Sequence, residues 1–215
     1  MITRVRWKEA QARESLAWRR IGTAAPSYLE RRGQFLSAWL DFLGAEPRRV
    51  LEIGGAGLPA AIDGIHAVDP LMRQYGCGRR AVAARAEELP YPRGAFDAAL
   101  ALNVIDHVED PARCLAEAAR VLRPGGLLLL SCNVYSRPWL LLRAARVRLL
   151  GERNNDLLHP HHFSAASLLA LARRRFRVVE ASLRLVDPLA AERPFEPSRL
   201  PLKGEARLYI AGSPC

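Results

Sequence analysis

The pattern of apolar and polar positions changes near residue 46. Before that point apolar residues recur at helical spacing, which predicts one helix over residues 7–20 and a second over 28–43, ended by Gly44. After it, short apolar runs alternate with turns and helical segments. Strands that alternate with helices predict an α/β fold with a doubly wound, mostly parallel sheet.

Seven apolar runs are candidates for the strands of this sheet. They cover residues 49–53, 65–68, 82–84, 96–103, 127–133, 176–183 and 207–211. The link between the last two is rich in proline and has no helical pattern, so these two strands are predicted to be antiparallel neighbours. The best-defined helix covers residues 110–123, where Asp110 is the predicted N-cap and Pro111 suits the first turn.

Two segments are predicted to lie outside the sheet. We interpret residues 1–46 as an N-terminal helical cap and 47–215 as the core, with a lid insertion at about 137–163. Inside the insertion, residues 138–151 read PWLLLRAARVRLLG, apolar around most of a helix with Arg143, Arg146 and Arg148 interspersed. Two interpretations remain open: a lid helix packed over the active site, or a helix at an acidic membrane surface.

A glycine-rich turn follows the first predicted strand, and an acidic residue ends the second. Glu52-Ile53-Gly54-Gly55-Ala56-Gly57 lets the backbone approach a ligand closely, and a carboxylate at Asp69 can accept hydrogen bonds from ribose hydroxyls. The pair predicts nucleotide-type binding. Residues 58–64 leave room for only a turn or two of helix between the strands, which counts against NAD or FAD.

The core carries a series of motifs in a fixed order. VLEIGGAG at residues 50–57 and HAVDP at 66–70 precede ARAEELPYPRGAFDAALALNVIDHVEDPARCLAEAARVLRPGGLLLLSCN at 84–133, and HPHHFSAASLLALARRRF follows at 159–176. This series resembles the class I S-adenosylmethionine-dependent methyltransferases, in particular the type 11 group. The resemblance implies a seven-stranded Rossmann-like methyltransferase fold and S-adenosylmethionine as the cofactor.

The resemblance also implies a set of cofactor-binding residues, namely Glu52, Gly54, Gly55, Gly57, Asp69, Pro70, Leu71, Ala86, Glu87 and Asn103. Glu52 and the glycines would face the methionine end, Asp69 the ribose hydroxyls and Asn103 the transferred methyl group; the others would adjoin the adenine. Three positions depart from the family pattern. Ala56 and Leu58 replace glycines, and Arg85 replaces a common acidic residue.

Histidine is the natural general base if a hydroxyl group accepts the methyl group. His107, in NVIDHV beyond the fourth strand, and His162 are the candidate catalytic residues. No metal site is predicted, because Pro160 interrupts the cluster of His159, His161 and His162, and no cysteine lies nearby.

The formal net charge of +10 is unevenly distributed and invites a nucleic-acid interpretation. Residues 1–49 carry +5 and residues 137–177 carry +7, whereas residues 50–136 carry −2. The charge therefore lies around the predicted entrance for the acceptor, which suggests an anionic or membrane-presented acceptor.

No apolar run approaches a membrane span, the N-terminus lacks the apolar core of a signal peptide, and the four cysteines are scattered. These features predict a cytoplasmic location.

These observations predict a biosynthetic S-adenosylmethionine-dependent methyltransferase. Its acceptor would be a small molecule, a glycan or a lipid-linked compound, and O-methylation is the expected reaction. One alternative is an RNA methyltransferase, although Asn103-Val104-Ile105-Asp106 is neither the NPPY type of loop nor a Pro-Cys nucleophile. A second alternative is a non-catalytic S-adenosylmethionine-binding protein, which the departures at Ala56, Leu58 and Arg85 favour.

Overall fold

The fold is known from a computed structural model, which describes residues 3–21, 49–55, 65–72, 81–151, 158–185 and 206–215. The described helices are α1 (Arg4–Ile21), α2 (Pro111–Val121), α3 (Arg137–Leu150) and α4 (Ala165–Ala172). The described strands are β1 (Val50–Ile53), β2 (Ile65–Val68), β3 (Ala81–Val82), β4 (Phe96–Leu102), β5 (Leu122–Val134), β6 (Phe176–Leu185) and β7 (Ala206–Pro214). The second predicted helix, over residues 28–43, and the shortened helix before β2 lie outside the described residues.

The strands form one seven-stranded sheet in the order β3-β2-β1-β4-β5-β7-β6. The pairings among β1 to β5 are parallel, and β7 runs antiparallel to both β5 and β6. The predicted fold class and the predicted antiparallel pair are therefore confirmed. The chain order reverses at β1 and β4, which places the carboxyl ends of these two strands at the crevice where open α/β sheets bind ligands.

Alternation along β1 and β4 places apolar side chains on both faces of the sheet. Leu51, Ile53 and Ala99 belong to the larger core cluster, whereas Val50 and Ala98 belong to the smaller one. Both faces of a parallel strand are normally buried, and all four residues of β1 are buried here. That requirement explains why the strands appear in the sequence as nearly continuous apolar runs.

Side-chain caps determine where α2 and α4 begin. The Asp110 carboxylate accepts hydrogen bonds from the backbone N–H groups of Ala112 and Arg113, at 3.0 and 3.1 Å. Ser164 and Ser167 form a reciprocal capping box at the start of α4. The predicted N-cap at Asp110 is confirmed.

The start of β5 differs from the sequence prediction. The strand begins at Leu122, five residues before the predicted Leu127, because Leu122 pairs with Phe96 across an irregularity in the register. The segment Arg123-Pro124-Gly125-Gly126 therefore follows α2 closely and forms the first part of this strand.

Candidate active site at the carboxyl ends of the strands

The carboxyl end of β1 forms a tight turn that only glycine fits. Gly54 has a positive φ of 74°, and its N–H donates to the Val68 carbonyl of β2 at 2.7 Å. A Cβ atom on Gly54 would lie 2.2 Å from Val104 Cγ2, and one on Gly55 would lie 2.7 Å from Glu52 Oε2. The Glu52 side chain is buried beneath this turn, with 1% exposure. Gly57 lies outside the described residues.

We expect Gly54→Ala to lower the free energy of unfolding by about 2–5 kcal/mol, because it combines left-handed strain with an overlap against Val104. Gly125→Ala is a matched control, since Gly125 also has φ of 74° but no other described heavy atom lies within 4 Å of its added Cβ. That control should cost only about 1–2 kcal/mol. Urea denaturation measures both, and equal losses would contradict the close packing at Gly54.

Asp69 stands at the carboxyl end of β2 with its carboxylate held in one orientation. Its Oδ1 accepts a hydrogen bond from the Leu71 N–H at 2.7 Å, and its own N–H donates to Val82 of β3. The residue is 8% exposed, while Pro70 beside it is exposed and Leu71 is half-buried. The turn therefore fixes a carboxylate and two apolar side chains beside the glycine turn of β1.

Asn103 ends β4 in a strained conformation. Its φ of 54° is the only positive value at a non-glycine residue in the described part of the chain. Its N–H donates to the Ser131 carbonyl of β5 at 2.8 Å, while Oδ1 is buried and has no hydrogen-bond partner within the described residues. Strain of this kind clusters at ligand-binding sites, and a buried acceptor without a donor suits a bound ligand.

The Glu87 side chain forms hydrogen bonds with other residues of the protein. The carboxylate is 4% exposed and accepts hydrogen bonds from the N–H groups of Glu109 and Asp110, at 2.6 and 3.2 Å. Arg113 Nε in turn donates to the Glu87 carbonyl at 3.0 Å. Glu87 thus holds the start of α2, and with Ala86, which is buried, it fixes the backbone after β3.

Arg85, which departs from the family pattern, connects three parts of the site. Its guanidinium contacts Glu109 Oε2 at 2.6 Å and Glu87 Oε1 at 3.3 Å, and it lies over the Trp7 ring at 4.5 Å. The last contact is a cation–π interaction with α1. The substitution of arginine for the usual acid therefore attaches the N-terminal helix to the loops after β3 and β4.

His107 lies in a cluster of acidic and imidazole side chains beyond β4. Its Nδ1 is buried and lies 3.5 Å from Glu14 Oε2 of α1, and its Nε2 lies 3.9 Å from Asp106 Oδ1. The His159 ring centroid is 4.6 Å away. Trp7 Nε1 donates to the His107 carbonyl at 3.1 Å. Helix α1 and the loop after β4 therefore hold His107 jointly.

Part of this cluster has the composition of a metal site. Asp106, His107 and His159 each offer one ligand atom, and the three atoms lie within 4.8 Å of one another. Two imidazoles and a carboxylate can bind zinc or iron(II). The sequence did not reveal this group because His107 and His159 are 52 positions apart. The predicted absence of a metal remains a prediction that needs a chemical test.

His162 lies in a second cluster, built on aromatic rings. Its ring centroid is 5.4 Å from that of Tyr135 and 6.0 Å from that of Trp139, and these two rings stack at 4.3 Å. Tyr135 follows β5 and its N–H donates to the Phe163 carbonyl at 2.8 Å. The two candidate histidines thus belong to separate clusters.

A short segment links the two clusters. The His161 N–H donates to the Asp106 carbonyl at 3.2 Å, and its ring Nε2 lies 2.9 Å from the Val108 carbonyl oxygen. Burial lowers the pKa of His161, which keeps this imidazole neutral and suited to a structural contact. Residues 159–163 therefore connect the loop after β4 with the end of β5 through hydrogen bonds.

Several residues of the site were not predicted from the sequence. Trp7 and Glu14 were assigned only to a cap helix, and Asp106 and Tyr135 were given no role. Trp7 and Glu14 are seven residues apart, which is a two-turn spacing on one helix face. That spacing was the only available signal that both face the same surface.

Comparison with known proteins finds methyltransferases. Residues 60–130 match a family model described as a methyltransferase domain. An uncharacterized methyltransferase of Mycobacterium tuberculosis is 35% identical over 146 residues, which is 61% of this chain and 57% of that protein. The 27-O-demethylrifamycin SV methyltransferase of Amycolatopsis mediterranei is 45% identical over 71 residues, 32% of this chain and 26% of that protein.

A solved structure of an S-adenosylmethionine-dependent methyltransferase from Thermotoga maritima superposes with a TM-score of 0.52 at 26% identity, covering 80% of this chain and 84% of that one. The fold, the family model and these relatives together support a class I S-adenosylmethionine-dependent methyltransferase domain. S-adenosylmethionine is the cofactor of this class of domain. The chain therefore spans 57% of the length of the Mycobacterium tuberculosis relative and 26% of the length of the Amycolatopsis mediterranei relative.

Proposed function

We propose that this protein transfers a methyl group from S-adenosylmethionine to an oxygen atom of a small-molecule, glycan or lipid-linked acceptor. The observation that carries the proposal is the contact between His107 and Glu14 beside strained Asn103, because it supplies a base next to the end of β4. The likeness to a methyltransferase that acts on 27-O-demethylrifamycin SV, over 71 residues, supports a small-molecule oxygen acceptor.

The residues at the strand ends fit the cofactor. Glycines at 54 and 55 allow a tight turn in which a Cβ would collide with Val104 or Glu52, and the Asn103 Oδ1 atom offers a buried acceptor. In the proposed arrangement Glu52, Gly54, Gly55 and Gly57 hold the methionine end, and Asp69 holds the ribose hydroxyls. Pro70, Leu71, Ala86 and Glu87 adjoin the adenine, the last through its backbone because its carboxylate is already bonded.

When bound, S-adenosylmethionine supplies an electrophilic methyl group on its sulfonium. The protein's part is to hold the acceptor hydroxyl in line and to take its proton. We propose that Glu14 orients His107 through Nδ1, which leaves Nε2 to receive the proton from the acceptor. His162 and its aromatic neighbours Tyr135 and Trp139 would hold the acceptor from the side of β5, with His162 as the alternative base.

Two other functions use the same domain. An RNA methyltransferase is supported by the net charge of +10. A non-catalytic S-adenosylmethionine-binding protein is supported by Arg85. This arginine stands where the family pattern has an acidic residue, and its guanidinium is bonded to Glu109 and Glu87.

One experiment separates the three functions. The purified protein is titrated with S-adenosylmethionine by calorimetry and then incubated with methyl-labelled cofactor and pools of phenolic, glycan, lipid-linked and RNA acceptors. We expect cofactor binding together with label in a phenolic, glycan or lipid-linked pool. Label confined to RNA would establish the first alternative, and binding without transfer to any pool would favour the second.

A further inference from the structure

The outward face of α3 carries an apolar stripe with positive charge on both sides. Leu141, Leu142 and Leu149 are 72%, 70% and 81% exposed, and Ala145 between them is exposed as well. Their spacing places all four on one side of the helix. We call these four residues the leucine face.

The opposite side of α3 contacts the protein. Trp139, Leu140, Arg143 and Val147 are half-buried, and Trp139 stacks on Tyr135 at 4.3 Å. Arg143 lies over the Trp139 ring at 5.4 Å, so it does not share a surface with the other arginines. The helix is therefore already packed against the site through one side, and the leucine face is the side that this packing leaves exposed.

Exposed arginines border the leucine face on both sides. On an ideal helix Arg146 lies along one edge and Arg148 along the other, with Arg137 near the same edge at the first turn. Residues 137–150 contain no acidic side chain. Apolar residues flanked by arginines are what a helix needs to lie flat in an anionic lipid interface.

We propose that the leucine face of α3 binds the surface of an anionic lipid bilayer. The helix would lie along the surface with its leucines among the acyl chains and Arg146 and Arg148 at the headgroups. No helix in the described ranges is long and apolar enough to cross a bilayer, so the expected contact is interfacial. Because Trp139 of the same helix lies beside His162, only the helix itself would separate a bilayer held there from the acceptor side of the proposed site.

A bilayer suits this surface better than two other occupants do. A second copy of α3 would bring arginines against arginines without acidic partners within 137–150. RNA would pair with Arg146 and Arg148 but leave the leucines in water. Of these three occupants, only an anionic lipid surface matches both the apolar and the charged parts.

Co-sedimentation with vesicles tests the proposal without requiring methyl transfer, so it can fail independently of the proposed function. The probes are vesicles of phosphatidylcholine alone and of phosphatidylcholine mixed with phosphatidylserine. We expect binding to the mixed vesicles, at least about tenfold weaker binding without phosphatidylserine, and weakening by added salt.

Two variants and their matched controls locate the contact. Leu142→Glu/Leu149→Glu and Arg146→Glu/Arg148→Glu should each weaken binding to the mixed vesicles about tenfold or more. Leu16→Glu/Val179→Glu and Arg173→Glu/Arg174→Glu change the same charges at exposed positions outside α3 and should keep most of the binding. Thermal melting confirms that each variant is folded.

Three outcomes would overturn the proposal. The first is vesicle binding by the leucine variant that equals that of the parent. The second is a parent dimer in light scattering that the leucine variant abolishes, which would assign the face to a second copy. The third is tight RNA binding through Arg146 and Arg148 with no binding to vesicles.

Discussion

His107→Ala should lower kcat by about a hundredfold or more while the dissociation constant for S-adenosylmethionine stays within a few-fold. The imidazole lies beyond the end of β4, and its Nδ1 is 3.5 Å from Glu14 Oε2. Removing it would leave the acceptor hydroxyl without a positioned base. Steady-state kinetics measures kcat once an acceptor is known, and calorimetry measures cofactor binding.

Glu14 should act as a positioning residue for the same imidazole. We expect Glu14→Gln to lower kcat about tenfold and to move the acidic limb of the pH–rate profile, because the carboxylate next to Nδ1 loses its charge. In His107→Ala that limb should disappear. Glu9→Gln, an exposed acid on the same helix, is the matched control and should leave both kcat and the profile unchanged.

Kinetics of further variants and of the chelated protein test three alternatives to His107 as the base. Full activity of His107→Ala together with a large loss in His162→Ala would move the base to the aromatic cluster; full activity of both would leave positioning alone. Loss of activity on chelation, restored by a divalent cation, would reassign Asp106, His107 and His159 as metal ligands.

Much of the sheet could be predicted because its strands are buried on both faces. Residues of β1, β2 and β4 must be apolar at nearly every position, so each is a continuous run bounded by turn residues. The start of β5 was missed for the opposite reason. Arg123, Gly125 and the residues around them carry no apolar pattern, and only pairing across to Phe96 makes Leu122 part of the strand.

The proposed cofactor-binding residues could be grouped from the sequence because they follow strand ends. Gly54, Asp69 and Asn103 each end a strand, and parallel strands bring their carboxyl ends to one edge. The strain at Asn103 and the bonded carboxylate of Glu87 could not be predicted. Both depend on contacts made by other elements, Ser131 in one case and residues 109–110 in the other.

The proposed acceptor side could be predicted only in part because its contacts join distant segments. Trp7 and His107 are 100 residues apart, and no local pattern encodes their hydrogen bond. Arg85 was visible only as a departure from a family pattern. The structure gives it a physical role, because it joins Trp7 of α1 to Glu109 and Glu87.

Asp69→Ala should weaken binding of S-adenosylmethionine by about a hundredfold or more. Each hydrogen bond from a neutral donor to a charged acceptor contributes about 1.5–3 kcal/mol, and two ribose hydroxyls are expected to lose the same carboxylate. The carboxylate is oriented by the Leu71 N–H, at 2.7 Å from Oδ1, so it is held in place before a ligand arrives. Calorimetric titration of the parent and the variant measures the ratio of dissociation constants.

Asp69→Asn separates the charge from the turn. An amide oxygen can keep the bond from the Leu71 N–H, so the turn should persist while the charged acceptor is lost. Affinity for the cofactor should then fall less than in Asp69→Ala but still several-fold, with an unchanged melting temperature. Glu88→Ala, an exposed acid after β3, is the control and should bind like the parent. Parent-like affinity of Asp69→Ala for the cofactor would show that the ribose does not lie at the end of β2. The proposed orientation of the cofactor across β1 and β4 would then have to be reversed or abandoned.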